Sequence, residues 1–102
     1  MMNNFEFNQP PSTAYSEMKL KVLITAIEPR LDKNQKDYWI IRTKLDEFKQ
    51  QSFLAFSTDY NLAPKTLSLL TNYPQQLVNK TAVLTIKKKD EREKVIEIEL
   101  EK

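Results

Sequence analysis

The sequence predicts an all-β domain: five short strands with one short helix between the third and the fourth. Five separate windows alternate apolar and polar residues with period two. One other stretch, residues 64–73, has the three-residue apolar spacing of a helix and lies between two prolines. Polar, charged segments separate these windows and read as turns.

Residues 1–16 hold three Asn, a Gln and the pair Pro10-Pro11, too polar and broken for a regular element. They read as a flexible N-terminal tail, and residues 17–102 as the domain. Phe5 and Phe7 stand two apart and would share a face if the tail became a strand. Such an arm would suit a second copy of the chain or a protein partner.

The first strand occupies residues 18–27, with Leu20, Val22, Ile24 and Ala26 on one face and Lys19, Lys21 and Thr25 on the other. It ends at Glu28-Pro29. Residues 30–37 form an exposed hairpin loop, with Asn34 as the natural turn residue in a chain that lacks Gly. The second strand, residues 38–45, turns Trp39, Ile41, Thr43 and Leu45 inward and Tyr38, Ile40, Arg42 and Lys44 outward. Trp39 falls in the core by this alternation; a Trp near a strand start also suits a barrel mouth.

Residues 46–49 make a tight connection to a third strand, residues 50–57. Leu54 with Phe56 is the larger apolar pair there, which assigns it to the core and leaves Phe53 outward beside Gln51. Pro64 suits a first helical position, Leu67 and Leu70 give the helix its apolar face, and Pro74 stops it. Leu77 is a further apolar anchor. A fourth strand, residues 81–86, places Ala82, Leu84 and Ile86 on one face. After a charged hairpin at 87–93, the fifth strand, 94–100, points Ile96, Ile98 and Leu100 inward and Glu97 and Glu99 outward, with Glu101 following in the same phase.

Composition narrows the chemistry. The 102 residues include no Gly, Cys or His. Without Gly there is no phosphate-cradling loop and no nucleophile elbow, both of which need close backbone approach or strained turns. Without His and Cys there is no triad-type nucleophile, no thiolate redox centre and no zinc site of the usual ligands. The expectation is a protein that is not an enzyme and has no cofactor or metal. Glu97, Glu99 and Glu101 could in principle meet a hard cation, but along an outer strand they serve better as edge protection or as a contact for a basic partner. With no long apolar run and no basic-then-apolar start, the chain is expected in the cytosol, away from membranes.

Five strands with a helix between the third and fourth, together with the run of residues 77–86 leading into the fourth strand, resemble the OB-fold. This is a five-stranded Greek-key barrel, here similar to the single-stranded DNA-binding domains of the replication protein A type. The resemblance spans residues 18–100 and implies a binding face on strands two and three, flanked by the first and last hairpin loops. OB barrels commonly turn the first strand with Gly, so here a bulge around residues 23–25 has to do so. The last loop holds charge and no aromatic.

On this reading Tyr38 and Phe53 stack on bases while Arg42 and Lys44 meet phosphates. Arg30, Lys33 and Lys36 in the first loop, with Lys87, Lys88, Lys89 and Arg92 in the last, close over the strand. The competing account is an ordinary solvated sheet face with soluble loops. Charge is polarised: residues 1–89 carry 13 basic and 8 acidic side chains, a net of +5, and residues 90–102 carry 3 and 6, a net of −3. The expected ligand is single-stranded DNA or RNA, bound with little sequence preference in DNA replication, recombination or repair. The alternative is an OB-like protein-protein adaptor that contacts its partner through the tail or the acidic last strand.

Overall fold

A computed structural model describes residues 15–101. The tail expected at 1–16, with Phe5 and Phe7, therefore lies outside the described residues, apart from Tyr15 and Ser16. Among the described residues there are five strands: β1 (Ser16–Leu31), β2 (Asp37–Lys44), β3 (Gln50–Phe56), β4 (Lys80–Lys89) and β5 (Arg92–Leu100). A helix, α1 (Pro64–Asn72), and a single 3-10 turn (Pro74–Gln76) stand between β3 and β4. Among the described residues no helix is long and apolar enough to cross a membrane.

The five strands close in a ring in the order β1-β2-β3-β5-β4, and β4 returns to β1. Every pairing is antiparallel except β3 with β5, which is parallel and registers at Leu54 and Lys94. The ring encloses Val22, Ile24, Trp39, Ile41, Phe53, Ala55, Ala82, Leu84, Ile86, Val95 and Ile98, with Leu62, Leu70 and Leu77 sealing the helix end. Trp39 belongs to this core, 4% exposed.

β1 is much longer than its alternation indicated, and it does not end at Glu28-Pro29. Its first half pairs with β4 and its second half with β2, through Pro29 opposite Trp39 and on to Leu31 opposite Asp37. Only β2 flanks β1 beyond Ile24, so a residue without an N–H costs no ladder bond on the open side. The register shifts between Ile24 and Ala26. This bulge falls where the missing Gly required one, and the Thr25 hydroxyl donates to the Arg42 carbonyl at 3.2 Å. Beyond it Ile27 packs against the core.

The chain takes left-handed backbone at Gln35 (φ 62°), Asn79 (φ 65°), Asp90 (φ 52°) and Glu91 (φ 69°). In the first loop it is Gln35, not Asn34, that carries the positive φ, because Asp32 organises the turn: its carboxylate accepts from the N–H groups of Asn34 (2.7 Å) and Lys36 (2.9 Å). The last hairpin is also tighter than its charge run indicated. Lys87, Lys88 and Lys89 belong to β4, and the turn is Asp90-Glu91, two left-handed residues that match the twist of the flanking strands.

The face of β3 is reversed from the expectation. Phe53 (3% exposed) and Ala55 (0%) point inward, and Leu54 and Phe56 are half-buried on the outer side. Direct cross-strand partners share a face, and β2 sets Ile41 opposite Phe53 and Trp39 opposite Ala55. The bulky Trp39 takes the small Ala55 as its neighbour. In β5 a second register shift makes both Val95 (0%) and Ile96 (7%) buried, where strict alternation had left Val95 outside.

Helix α1 starts with Pro64 at its first position and holds the ring through β5. The Ala63 N–H donates to the Ile96 carbonyl at 2.8 Å, and the buried Thr66 hydroxyl accepts from the Ile98 N–H at 3.0 Å. Leu70 is buried and Leu67 packs beside it, as their spacing indicated.

Candidate functional site

Phe56, the last residue of β3, pairs with Tyr38 at the start of β2. Their rings stack with centroids 5.4 Å apart and planes inclined by 21°. The Lys94 ammonium lies 4.8 Å from the Phe56 centroid, a cation-π contact delivered by the parallel β3–β5 pairing. Ser57 locks this end of the two strands together, its hydroxyl and N–H both donating to the Asp37 carbonyl at 2.7 and 3.0 Å.

Two adjoining grooves share Lys94 with this cluster. One, of about 470 Å³, is lined by Lys87, Lys89, Asp90, Arg92 and Lys94. The other, of about 450 Å³, runs between β4 and the loop from β3 to α1, past Tyr15, Asp59, Tyr60 and Asn61, and shares Lys87, Lys89 and Lys94 with the first. With Lys87 held by Asp59, Lys89, Arg92 and Lys94 against Asp90 leave the first groove net cationic and suited to polyanions. Tyr15 and Tyr60, which line the second groove, suit a ligand with planar faces.

Lys87 is a special member of this set. Its Nζ lies 3.0 Å from both Asp59 Oδ1 and Asn61 Oδ1, and its side chain is only 13% exposed. The expectation that it projects freely from a loop is therefore corrected: it bolts the β3–α1 loop to β4. Asp59 Oδ2 is buried without a hydrogen-bond partner. The Tyr15 ring covers the same ammonium at 5.6 Å. The Tyr15 hydroxyl titrates above its usual value, chiefly because of its hydrogen bond with Glu17 and secondarily through burial.

The other expected residues divide among three places. Phe53 is in the core and cannot stack on a ligand from there; Phe56 holds the outward aromatic position beside Tyr38. Arg42 and Arg30 share the Glu28 carboxylate. Arg42 bonds it through Nε, with Nη2 at 3.3 Å, and Arg30 Nη2 reaches it at 2.7 Å. Arg42 Nη1 also lies 3.4 Å from Ser52 Oγ. The Arg42 hydrogen bond, then the nearby charges of Arg42 and Arg30, hold the Glu28 carboxyl below its ordinary value; the same bond raises Arg42. The two guanidinium groups are thus held on the outer face by one shared carboxylate, which neutralises half of their charge.

Lys44 lies at the opposite end of β2 from Tyr38, half-buried in a shallow groove with Leu23, Leu45 and Asp46. Lys44 is six residue steps along the strand from Tyr38, about 20 Å at the usual rise, so they do not form one cluster. Lys33 and Lys36 are exposed on the loop entering β2 just before Tyr38. Lys88 is exposed on the side of β4 opposite Lys87, and Lys89 lines both grooves. Lys94 and Phe56 had not been singled out for the site. A search for the small residue that Trp39 needs across the strand pair would have found Ala55 and so turned Phe56 outward.

Comparison with protein-family models, curated proteins and solved structures finds no match to this chain.

Proposed function

We propose that this protein binds single-stranded nucleic acid, DNA foremost, without catalysis and with little sequence preference, in replication, recombination or repair. The observation that carries the reading is the Tyr38–Phe56 stack with Lys94 against Phe56, the same Lys94 lining a groove with Lys87, Lys89, Asp90 and Arg92. Bases extend an aromatic stack while cations follow the phosphates, and stacking tolerates every base because each has a π-face. The ring order β1-β2-β3-β5-β4, the parallel β3–β5 seam and the helix between β3 and β4 support reading the ring as an OB-fold, an architecture used to bind oligonucleotides.

The test is an anisotropy titration of fluorescent oligo(dT), about 30 nucleotides long to exceed the site size of a single OB-fold, at two salt concentrations with duplex and RNA controls. Saturable binding that prefers the single strand and weakens with salt is expected, and Lys94→Ala and Tyr38→Ala each reduce it. No binding at tens of micromolar protein in low salt overturns the reading.

A second reading, a protein-protein adaptor, is favoured by one separate observation. A groove of about 560 Å³ between α1 and β5 is lined by Glu97, Glu99 and Glu101, the last paired with Lys21, with Lys65, Leu69 and Leu100, a net acidic and partly apolar match for a basic peptide segment. Lys94→Ala leaves such an interaction intact, which separates the two readings.

A further inference from the structure

Tyr60 sits in the β3–α1 loop with its side chain almost wholly in water, 95% exposed. Its neighbours in sequence are the reverse. Asp59 is the buried partner of Lys87, its Oδ1 also accepts the Asn61 N–H at 3.0 Å, and Asn61 Oδ1 accepts from Lys87 at 3.0 Å. Backbone bonds add to this anchorage: the Asp59 N–H donates to the Phe56 carbonyl at 3.1 Å and the Leu62 N–H to the Asp59 carbonyl at 2.9 Å. The loop is thus fastened on both sides of Tyr60, and the ring is presented from a rigid mount. Burying an ion pair to hold a surface loop costs desolvation energy that simple stability does not require. Fixing the backbone that carries the ring before binding removes part of the ordering cost of binding.

Tyr60 lines the same groove as Lys87, Lys89 and Lys94, on its loop side, and Lys94 links that groove to the Phe56 ring of the sheet. Phe48, in the β2–β3 connection, is as exposed at 93%, but it stands at the far end of those strands beside Asp46 and Glu47. Exposure alone does not distinguish the two aromatics; the cationic groove does.

We propose that Tyr60 is a second stacking platform, taking an unpaired nucleobase at the loop wall of the groove, so that the site recognises bases free of pairing and not polyanions in general. This rests on the nucleic-acid reading above. A duplex offers its base faces only to neighbouring base pairs, whereas a single strand can unstack one base onto a ring.

The experiment compares wild type, Tyr60→Ala, Tyr60→Phe, Tyr38→Ala and Phe48→Ala on fluorescent oligo(dT) and on an abasic deoxyribose-phosphate oligomer of equal length. Tyr60→Ala is expected to weaken oligo(dT) binding roughly tenfold, the scale of one stacked base, and to leave abasic binding and the salt slope unchanged. Tyr60→Phe retains wild-type affinity, and Phe48→Ala changes nothing. A thermal melt confirms folding, which an exposed ring hardly influences. Unchanged oligo(dT) binding by Tyr60→Ala, while Tyr38→Ala weakens it, overturns this proposal alone. Equal weakening on both oligomers also overturns it, since the ring then acts on the backbone. If wild type binds neither oligomer, the nucleic-acid reading itself falls and this proposal with it.

Discussion

Lys87 Nζ stands 3.0 Å from Asp59 Oδ1, with 13% of the lysine side chain and 5% of the aspartate side chain exposed. The two residues come from β4 and from the loop after β3, so this contact joins segments 28 residues apart in sequence. A buried pair adds little net stability over an apolar pair, but removing one partner strands a charge.

We predict that Lys87→Ala lowers unfolding stability by about 3 kcal/mol, because it leaves the Asp59 carboxylate without its cation. Urea unfolding followed by Trp39 fluorescence measures this. A loss below about 0.5 kcal/mol, the size of an ordinary surface substitution, would show that the carboxylate finds water or another donor and that the loop does not depend on the pair.

Glu28 restrains Arg42 and Arg30 on the outer face. Glu28→Gln should release both, strengthening single-strand binding and steepening the dependence of log affinity on log salt by up to about 1.4, at about 0.7 per additional phosphate contact. Titrations at several salt concentrations decide it; an unaltered slope means that the ligand does not pass over this face.

The same carboxylate predicts a pH response. Its folded-state pKa lies below the ordinary 4.5, so its contribution to stability is complete above that value and disappears as pH falls through the lowered folded value. Wild type and Glu28→Gln should therefore differ in melting temperature by a constant amount from pH 5 to 8, and converge only at more acid pH. Convergence near neutrality contradicts the assigned direction. The pair is solvent-exposed and the difference is correspondingly small.

Phe53 and Phe56 separate folding from binding. Phe53→Ala should cost about 3 to 5 kcal/mol, the usual loss for a phenylalanine deleted from a packed core. Phe56→Ala should reduce oligo(dT) affinity while leaving the ring folded. Chemical denaturation and anisotropy of both variants test the assignment, and the opposite pattern would reverse the face of β3.

Glu91 holds φ 69° without being Gly. Left-handed backbone costs an L-residue about 1 to 2 kcal/mol; Gly removes that cost, and its freer unfolded chain offsets part of the gain. Glu91→Gly should accordingly raise stability by about 0.5 to 1 kcal/mol. A lower melting temperature would show that the Glu91 side chain contributes more than its backbone costs.

The strands and helix were legible because alternation and proline are local signals. Ala82, Leu84 and Ile86 all lie at 0% exposure, and Pro64 opens the helix. What escaped a local reading depends on pairing. The face of β3 follows from Trp39 meeting Ala55 across two strands, and alternation within β3 alone permits either face. Val95 became a core residue through a one-residue shift against β4. Tyr38 lies on the outward face that its alternation indicated; Phe56 meets it through the β2–β3 register, and Lys94 joins Phe56 only through the closure of the ring. Arg42 and Lys87 looked like unspent cations because Glu28 and Asp59 are distant in sequence, 14 and 28 residues away.

The parallel seam also bears on how the ring comes apart. β3 and β5 register at the single pair Leu54 and Lys94, whereas β5 pairs with β4 through most of its length. Lys94 has Leu54 on one flank and Lys87 on the other, so the backbone clasp of the ring and the cation over Phe56 are the same residue. An occupant drawn toward Lys94 would hold that clasp shut. Slower amide exchange along β3 and β5, at positions far from any contact, would be its mechanical signature.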